Sequence, residues 1–93
     1  MASGSGTPLP PATASVTAAD SVVLASNPDR KGLVVVNIGS TNVFFGCGAP
    51  AIMNGGIVLL PNGTWVMDTF TFFLGAIHAI CGSSSTLAIQ EYN

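Results

Sequence analysis

Apolar runs in this chain are short, and turn residues such as Gly, Pro, Asn and Ser end them. The run Leu33–Ile38, which contains three consecutive valines, ends at Gly39. No window of helical length has apolar residues spaced by three and four without an internal Gly or Pro, so no helix longer than about two turns is predicted. Short apolar segments separated by turn residues are typical of sandwiches, jelly rolls and small barrels. We therefore predict an all-β fold, either a small antiparallel sandwich or a jelly-roll-like barrel.

Residues 14–17 and 21–25 are expected to form two strands, or one strand bent near residues 19–20. Further strands are expected at residues 33–38, 43–46, 57–60, 64–68, 75–81 and 86–92, and residues 69–74 form another strand or a packed loop. Two connections have specific turn chemistry. Pro28 suits the second position of a turn that starts at Asn27, and the pair Asn62-Gly63 supplies positive φ. Residues 39–42 are predicted to form a hairpin-like connection, which would place residues 43–46 beside the preceding strand.

Charge is scarce in this chain, at 6% of its 93 residues, whereas about 25% is ordinary for a soluble domain. The charged residues are Asp20, Asp29, Arg30, Lys31, Asp68 and Glu91. Charge keeps proteins soluble and prevents sheet edges from joining. The longest uncharged run, Gly32–Met67, contains many Gly, Pro and Asn residues, so we expect no membrane span. Much of the surface is therefore expected to be covered by protein, as in a subunit of an assembly.

The two cations, Arg30 and Lys31, are sequence neighbours, and we interpret them as part of a solvated turn. Nucleic-acid binding needs clustered cations, so no nucleic-acid partner is predicted. The N-terminal sequence MASGSGTPLPP has neither a basic region nor an apolar region typical of a secretion signal. Synthesis in a cytoplasm is expected.

The single histidine, His78, is the main candidate for a catalytic base. It could act as one if Asp20 or Asp68 lay near it, but a half-buried strand histidine with a structural hydrogen bond is the favoured interpretation. Cys47 and Cys81 are interpreted as small buried hydrophobic residues, with a disulfide left open. We predict no catalytic residue, no metal site and no cofactor, and hence that the protein is not an enzyme.

Two aromatic residues carry a polar group that could contact a ligand. Trp65 could stack on a sugar ring if exposed, and Tyr92 could lie beside it. Strand alternation instead favours Trp65 on an inward face together with Met67.

We divide the chain into an extended N-terminal arm, residues 1–11, and a single β domain, residues 12–93. Two groups of residues are predicted to contact other subunits: Pro8, Leu9, Pro10 and Pro11 in the arm, and Phe70, Phe72 and Phe73 in the β domain. The prolines favour an extended arm that can lie along a neighbour, with Leu9 as its anchor. In the aromatic segment, large apolar side chains alternate onto both faces of a strand, so both faces need cover.

The pattern of turns and strand residues resembles small structural proteins of tailed-bacteriophage virions, which include the capsid decoration, or cement, proteins. The segments that carry the resemblance are NPxRKxLxVxN from Asn27, STNVFFxxGxPA from Ser40, GIxLxPxG from Gly56 and GAIxAI from Gly75. The resemblance extends from Val16 to Tyr92.

The resemblance implies a small β fold that sits on the capsid exterior, commonly as a trimer, and bridges neighbouring capsid subunits. The expected partners are the major capsid protein and further copies of the chain. Because similar β modules occur in fibres and tail parts, the alternative is a receptor- or glycan-binding module of a phage head or tail fibre.

Overall fold

The computed structural model describes residues 7–67 and 73–93, and within these ranges the chain forms strands and no helix. The strands are β1 (Ala12–Thr17), β2 (Ser21–Leu24), β3 (Gly32–Asn37), β4 (Val43–Cys47), β5 (Ile57–Leu59), β6 (Thr64–Val66), β7 (Ile77–Cys81) and β8 (Ser84–Tyr92). The predicted all-β fold is confirmed, because runs of alternating or β-branched apolar residues form the strands and turn residues end them.

Two four-stranded antiparallel sheets pack together as a β-sandwich. Sheet A has the strand order β1-β8-β3-β6, and sheet B has the order β2-β7-β4-β5. Successive side chains of a strand point to opposite faces, so Leu33 and Val35 of β3 are buried between the sheets while Val34 is half-buried on the outer face. In β7, Ile77 and Ala79 enter the same core from the other sheet.

The connection between β3 and β4 is not the predicted hairpin, because these strands lie in different sheets. The cause is the side chain of Asn37, which is fully buried. Its amide nitrogen donates to the carbonyl oxygens of Thr41 at 2.7 Å and Leu59 at 2.9 Å. Its oxygen accepts from the Gly39 amide at 3.0 Å and the Ser85 hydroxyl at 2.7 Å. These four bonds hold the chain as it leaves sheet A for sheet B.

The two predicted turns are present with the expected chemistry. The Arg30 amide donates to the Asn27 carbonyl oxygen at 3.2 Å, which places Pro28 at the second position of the turn. The Asn27 side-chain oxygen also accepts from the Asp29 amide at 3.0 Å. In the second turn, Asn62 adopts the positive φ of 65°.

The described part of the arm runs along β8 of its own chain. Thr7 and Asn93 exchange two backbone hydrogen bonds, and the Leu9 amide donates to the Glu91 carbonyl oxygen at 2.9 Å. Pro8 lies opposite Tyr92, whereas Ala12 lies opposite Ile89, so the register shifts by one residue across this stretch. Residues 7–9 therefore continue the pairing of β1 with β8, which sequence reasoning did not anticipate.

Candidate functional site

The outer face of sheet A is uncharged and combines aliphatic side chains with hydroxyl and amide side chains. The strand registers place Ala88, Val36 and Thr64 in one row across β8, β3 and β6, and Gln90, Val34 and Val66 in the next row. Val66 is 56% exposed. A shallow depression of about 190 Å³ lies on this face, lined by Pro11, Ala12, Val34, Val36, Ala88, Ile89 and Gln90. The lining offers no formal charge, so it suits an apolar contact.

The outer face of sheet B is also largely apolar. Its rows are Val22, His78 and Gly46, and then Ile80, Phe44 and Val58. Val22 is 54% exposed. Antiparallel sheets commonly have one face packed on the core and one polar face exposed to solvent. Here both outer faces carry exposed aliphatic side chains.

The connection between β4 and β5, residues 48–56, folds over part of the outer face of sheet B. A Cβ atom added at Gly46 would lie 2.5 Å from the Ala49 carbonyl oxygen, so only glycine allows this approach. Within the connection, Ala51 is buried, whereas Ile52 is 65% exposed. The connection thus covers β4 with its backbone and presents an apolar side chain outward.

Asp20 fastens this connection to the sheet. One carboxylate oxygen accepts from the Ala51 amide at 2.7 Å, and the other lies 3.2 Å from His78 Nδ1. The favoured interpretation of His78 as a half-buried strand residue with a structural hydrogen bond is confirmed, and Asp20 is the acid that comes near it. Asp68, the other acid considered, lies outside the described residues. The pair joins β7, the start of β2 and the 48–56 connection at one point.

The pKa of Asp20 is lowered, first by the hydrogen bond from the Ala51 amide and then by His78. A lowered folded-state pKa means that the interaction stabilises the fold fully above the ordinary carboxyl pKa of about 3.9. This contribution is lost as the pH falls through the folded-state value. The contact of Asp20 with Ala51 and His78 is therefore weakened by acid.

We predict that Asp20→Asn lowers the urea midpoint at pH 7 and that the difference from the wild type shrinks as the pH approaches 3. The reason is that protonation of the wild-type Asp20 carboxyl removes the stabilisation of the folded state that the charged carboxylate provides at pH 7. Urea unfolding at pH 7, 5 and 3 measures this difference. Asp29→Asn removes the same charge from an exposed turn and controls for net charge. A wild-type advantage of equal size at every pH would contradict the prediction.

Arg30 is the most unexpected residue, because it is only 2% exposed. Its Nε donates to Glu91 Oε2 at 2.7 Å. Its terminal nitrogens donate to the carbonyl oxygens of Phe73 at 2.6 Å, Gly75 at 3.2 Å and Ala25 at 2.9 Å. The interpretation of Arg30 as part of a solvated turn is wrong, although Lys31 is exposed as expected.

One sequence signal could have revealed the buried Arg30. Glu91 follows Leu87 and Ile89 at alternating positions of the last strand, which places an acid on the inward face. A buried carboxylate needs a cation or several donors. The chain has only two cations, so Arg30 or Lys31 had to reach Glu91. The side-chain amide of Asn27 also donates to Oε2 of Glu91, at 3.1 Å.

The predicted contact residues lie in different environments. Pro8, Pro10 and Pro11 are exposed, and Leu9 is half-buried beside β8. Phe73 is half-buried and packs against the core. Phe70 and Phe72 lie outside the described residues.

The ring of Phe73 occupies space that two glycines leave open. A Cβ atom at Gly48 would lie 2.7 Å from the ring, and one at Gly75 would lie 2.5 Å from it. Gly48 also has a φ of 74°, which disfavours other residues there. Phe73 thus helps to hold the start of the 48–56 connection.

Trp65 faces the core, as strand alternation predicts. Its ring lies 5.2 Å from that of Phe45, centroid to centroid, at an interplanar angle of 39°. Tyr92 is half-buried, and its ring lies beside Gly32. Both rings are therefore partly buried, Trp65 against the core and Tyr92 beside Gly32.

Cys47 and Cys81 are not joined by a disulfide. Cys81 is buried, as interpreted, and its thiol donates to the Val16 carbonyl oxygen at 3.5 Å. Cys47 is exposed as a residue, which contradicts the interpretation as a buried hydrophobe. Its sulfur is nevertheless partly desolvated, which raises the pKa of the thiol against the opposing effect of Arg30. The thiolate is the reactive form, so the raised pKa lowers the reactivity of Cys47 at neutral pH.

Across residues 7–67 and 73–93, no group of three His, Cys, Asp or Glu side chains is placed to hold a metal ion. In the same part of the chain, no helix is long and apolar enough to cross a membrane. No family model matches this sequence, and no curated protein or solved structure does either. Function is therefore inferred from the surfaces and contacts of the chain itself.

Proposed function

We propose that this chain is a virion structural protein, a capsid decoration protein that binds the outer capsid surface and stabilises the shell by bridging neighbouring subunits. The observation that carries the proposal is that the outer faces of both sheets lack Asp, Glu, Lys and Arg within the described strands and expose aliphatic side chains such as Val66 and Val22. Within the eight described strands, Glu91 is the only Asp, Glu, Lys or Arg, and it faces inward to Arg30. Large exposed apolar surfaces mark sites of protein–protein contact.

Among the residues that the structure describes, the exposed large apolar side chains are Val22, Ile38, Ile52, Met53, Val58, Leu60, Val66 and Leu74. Burial of apolar surface contributes about 25 cal/mol per Å², and association costs several kcal/mol in lost freedom. A single small patch therefore binds weakly. Several copies held in one oligomer bind an array tightly, because later contacts form at high effective concentration. We accordingly propose a homotrimer that contacts the major capsid protein at several points.

The strand order supports a jelly-roll topology. The order β1-β8-β3-β6 packs against β2-β7-β4-β5, and consecutive strands other than β4 and β5 lie in opposite sheets. Eight-stranded jelly rolls occur in viral capsid and lectin domains. Fold alone does not assign function, so the uncharged surface has the greater weight.

The proposed location is the capsid exterior, after synthesis in the host cytoplasm. Arg30 is committed to a buried ion pair, which leaves Lys31 as the exposed cation of the two in the sequence. A single exposed cation cannot neutralise a run of phosphates. This supports capsid protein, and not packaged nucleic acid, as the partner.

The alternative function, a receptor- or glycan-binding module, has less support from the aromatic residues. Trp65 packs inward on Phe45, so it does not offer a free face to a sugar ring. Binding of the purified protein to a glycan array, at a level above that of a Trp65→Phe variant, would favour this alternative.

We predict that deletion of residues 2–6 weakens attachment to undecorated capsids and leaves the unfolding midpoint unchanged. The deletion keeps residues 7–11, and with them the described backbone bonds of Thr7 and Leu9 to β8. Deletion of residues 2–11 also removes the bonds of Thr7 and Leu9 to β8, so it is expected to lower the midpoint as well. Titration of capsids with each protein measures occupancy, and urea unfolding measures stability.

His78→Gln is the matched control for chemistry, because it removes the imidazole and keeps a polar side chain at the same position on the outer face of sheet B. We expect this variant to reach full occupancy on capsids, since the proposed function uses contact surfaces. Binding by both the 2–6 and the 2–11 deletions equal to that of the wild type would show that the arm is not a clamp. Failure of the wild type to bind any capsid surface would overturn the proposed function.

A further inference from the structure

The four edge strands of the sandwich differ in how well they resist pairing with another chain. The short strands β5 and β6 have three residues each. The edge of β2 is irregular, because its register with β7 shifts between Val22 and Leu24. By contrast, β1 keeps an unbroken register with β8 over all six of its residues. Short length and irregularity are two of the ways in which proteins protect their edges, and β1 has neither.

Charge does not protect β1 either. The stretch from Thr7 to Ala19 contains no Asp, Glu, Lys or Arg. Thr13, Ser15 and Thr17 are exposed on the outer face of sheet A. Among the described residues, β8 is the one strand that pairs with β1. The Thr17 carbonyl oxygen accepts from the Cys81 thiol at 3.6 Å, and the edge around Thr13 and Ser15 is open to pairing with another strand.

We propose that β1 pairs with β1 of a second copy of this chain, antiparallel and about a two-fold axis through Ser15. Sheet A then becomes one continuous eight-stranded sheet across two copies. In this register Ser15 lies opposite the partner's Ser15, and Thr13 lies opposite the partner's Thr17. The even register keeps outward residues opposite outward residues, as the alternation of a strand requires.

A second copy is the occupant that this strand favours. A two-fold contact needs a surface that complements itself, and any charge near the axis would meet an identical charge. The uncharged stretch around Ser15 avoids that repulsion, and opposed threonines are favourable cross-strand pairs. Ala14 and Ser15 are also small, so two sandwiches can approach closely at the axis.

The contact is small, since a six-residue strand is about 20 Å long. It falls below the roughly 800 Å² per partner of a standard stable interface. Pairing is therefore weak in dilute solution and strong where copies are held close together. The inference does not depend on the proposed function, because it concerns contact between copies and not attachment to a capsid. It is also separate from the three-fold contact of the proposed trimer.

Disulfide capture tests the pairing directly. In a full-length Cys47→Ser background, which removes the exposed thiol, Ser15→Cys places two thiols on opposite sides of the proposed axis. Directly opposed Cα atoms in an antiparallel pair are about 4.5–5.5 Å apart, and this range permits a disulfide. Thr64→Cys in the same background is the matched control, because Thr64 is exposed on the outer face of β6 at the other edge of sheet A.

We expect Ser15→Cys to form covalent dimers at least about tenfold faster than Thr64→Cys, because pairing raises the effective thiol concentration. Equal rates for the two proteins would overturn the proposal. On decorated capsids, cross-linking of Ser15→Cys to a capsid subunit and not to its own copies would also overturn it, and would assign the edge to the capsid. Melting curves confirm that both variants fold.

A charge exchange provides an independent readout. In the paired state Ser15→Lys sets two ammonium groups opposite each other, and Ser15→Glu sets two carboxylates, so each variant alone is expected to stay unpaired at concentrations where the wild type associates. An equal mixture is expected to form mixed dimers by native mass spectrometry. Absence of mixed dimers, or association of each variant as strong as that of the wild type, would contradict pairing about Ser15.

Discussion

Replacement of Arg30 by alanine is expected to lower the free energy of unfolding by about 3–5 kcal/mol, the usual cost of breaking a buried ion pair. The variant leaves the Glu91 carboxylate, whose side chain is 13% exposed, without its cation. It also leaves the carbonyl oxygens of Phe73, Gly75 and Ala25 without the donors that Arg30 supplies. Urea unfolding followed by fluorescence of Trp65 measures the change.

The chain supplies a matched control at the next position. Lys31→Ala removes a cation from an exposed side chain of the same turn, and we expect a change within about 0.5 kcal/mol. The double variant Arg30→Met with Glu91→Leu is expected to recover part of the loss, because no charge is then buried alone. It stays below the wild type because the three carbonyl oxygens still lack donors. Equal stability of Arg30→Ala and Lys31→Ala would contradict the assigned role.

The second large effect is expected at Asn37. Asn37→Ala removes four hydrogen bonds at a site with no exposure to water. Each buried polar group left unpaired costs about 1–3 kcal/mol, and partial relaxation reduces the sum, so we expect a loss of about 2–4 kcal/mol. Thermal and urea unfolding measure it.

Asn42 provides the control for Asn37, because it is an exposed asparagine on the same connection between β3 and β4. Asn42→Ala is expected to change stability by about 0.5 kcal/mol or less. Ser85→Ala should fall between the two, since it removes only the hydroxyl that donates to Asn37 at 2.7 Å. A small effect of Asn37→Ala together with an unchanged fold would show that the neighbouring groups find other partners.

The positions of the strands could be predicted because the signals are local. Alternation in residues 33–37 and 77–81, and turn residues such as Pro28 and Asn62, act over a few positions. The partner of each strand could not be predicted in this way. Asn37 falls within the predicted strand 33–38, yet its side chain bonds to Leu59 and Ser85, which are distant in sequence. These contacts send the chain to the other sheet.

The candidate surfaces also show that local features could be predicted from the sequence and long-range contacts could not. The scarcity of charge predicted an uncharged exterior, and the exposed Val22 and Val66 agree with it. The position of Arg30 was missed because its partner, Glu91, is 61 residues away. The pairing of Thr7 and Leu9 with β8 was missed because a segment rich in Gly, Ser and Pro has no strand pattern of its own. In each case the deciding contact joins distant parts of the chain.

The central place of β8 has a consequence for how the protein folds. This strand lies between β1 and β3 in sheet A, although it follows every other strand along the chain. During synthesis β1 emerges early and has no sheet partner until β8 arrives, and pairing over such sequence distances is slow. An uncharged strand that waits unpaired is prone to aggregation. We therefore expect nascent chains that lack residues 84–93 to require chaperone protection, and the emergence of residues 84–93 to trigger folding of sheet A as a unit.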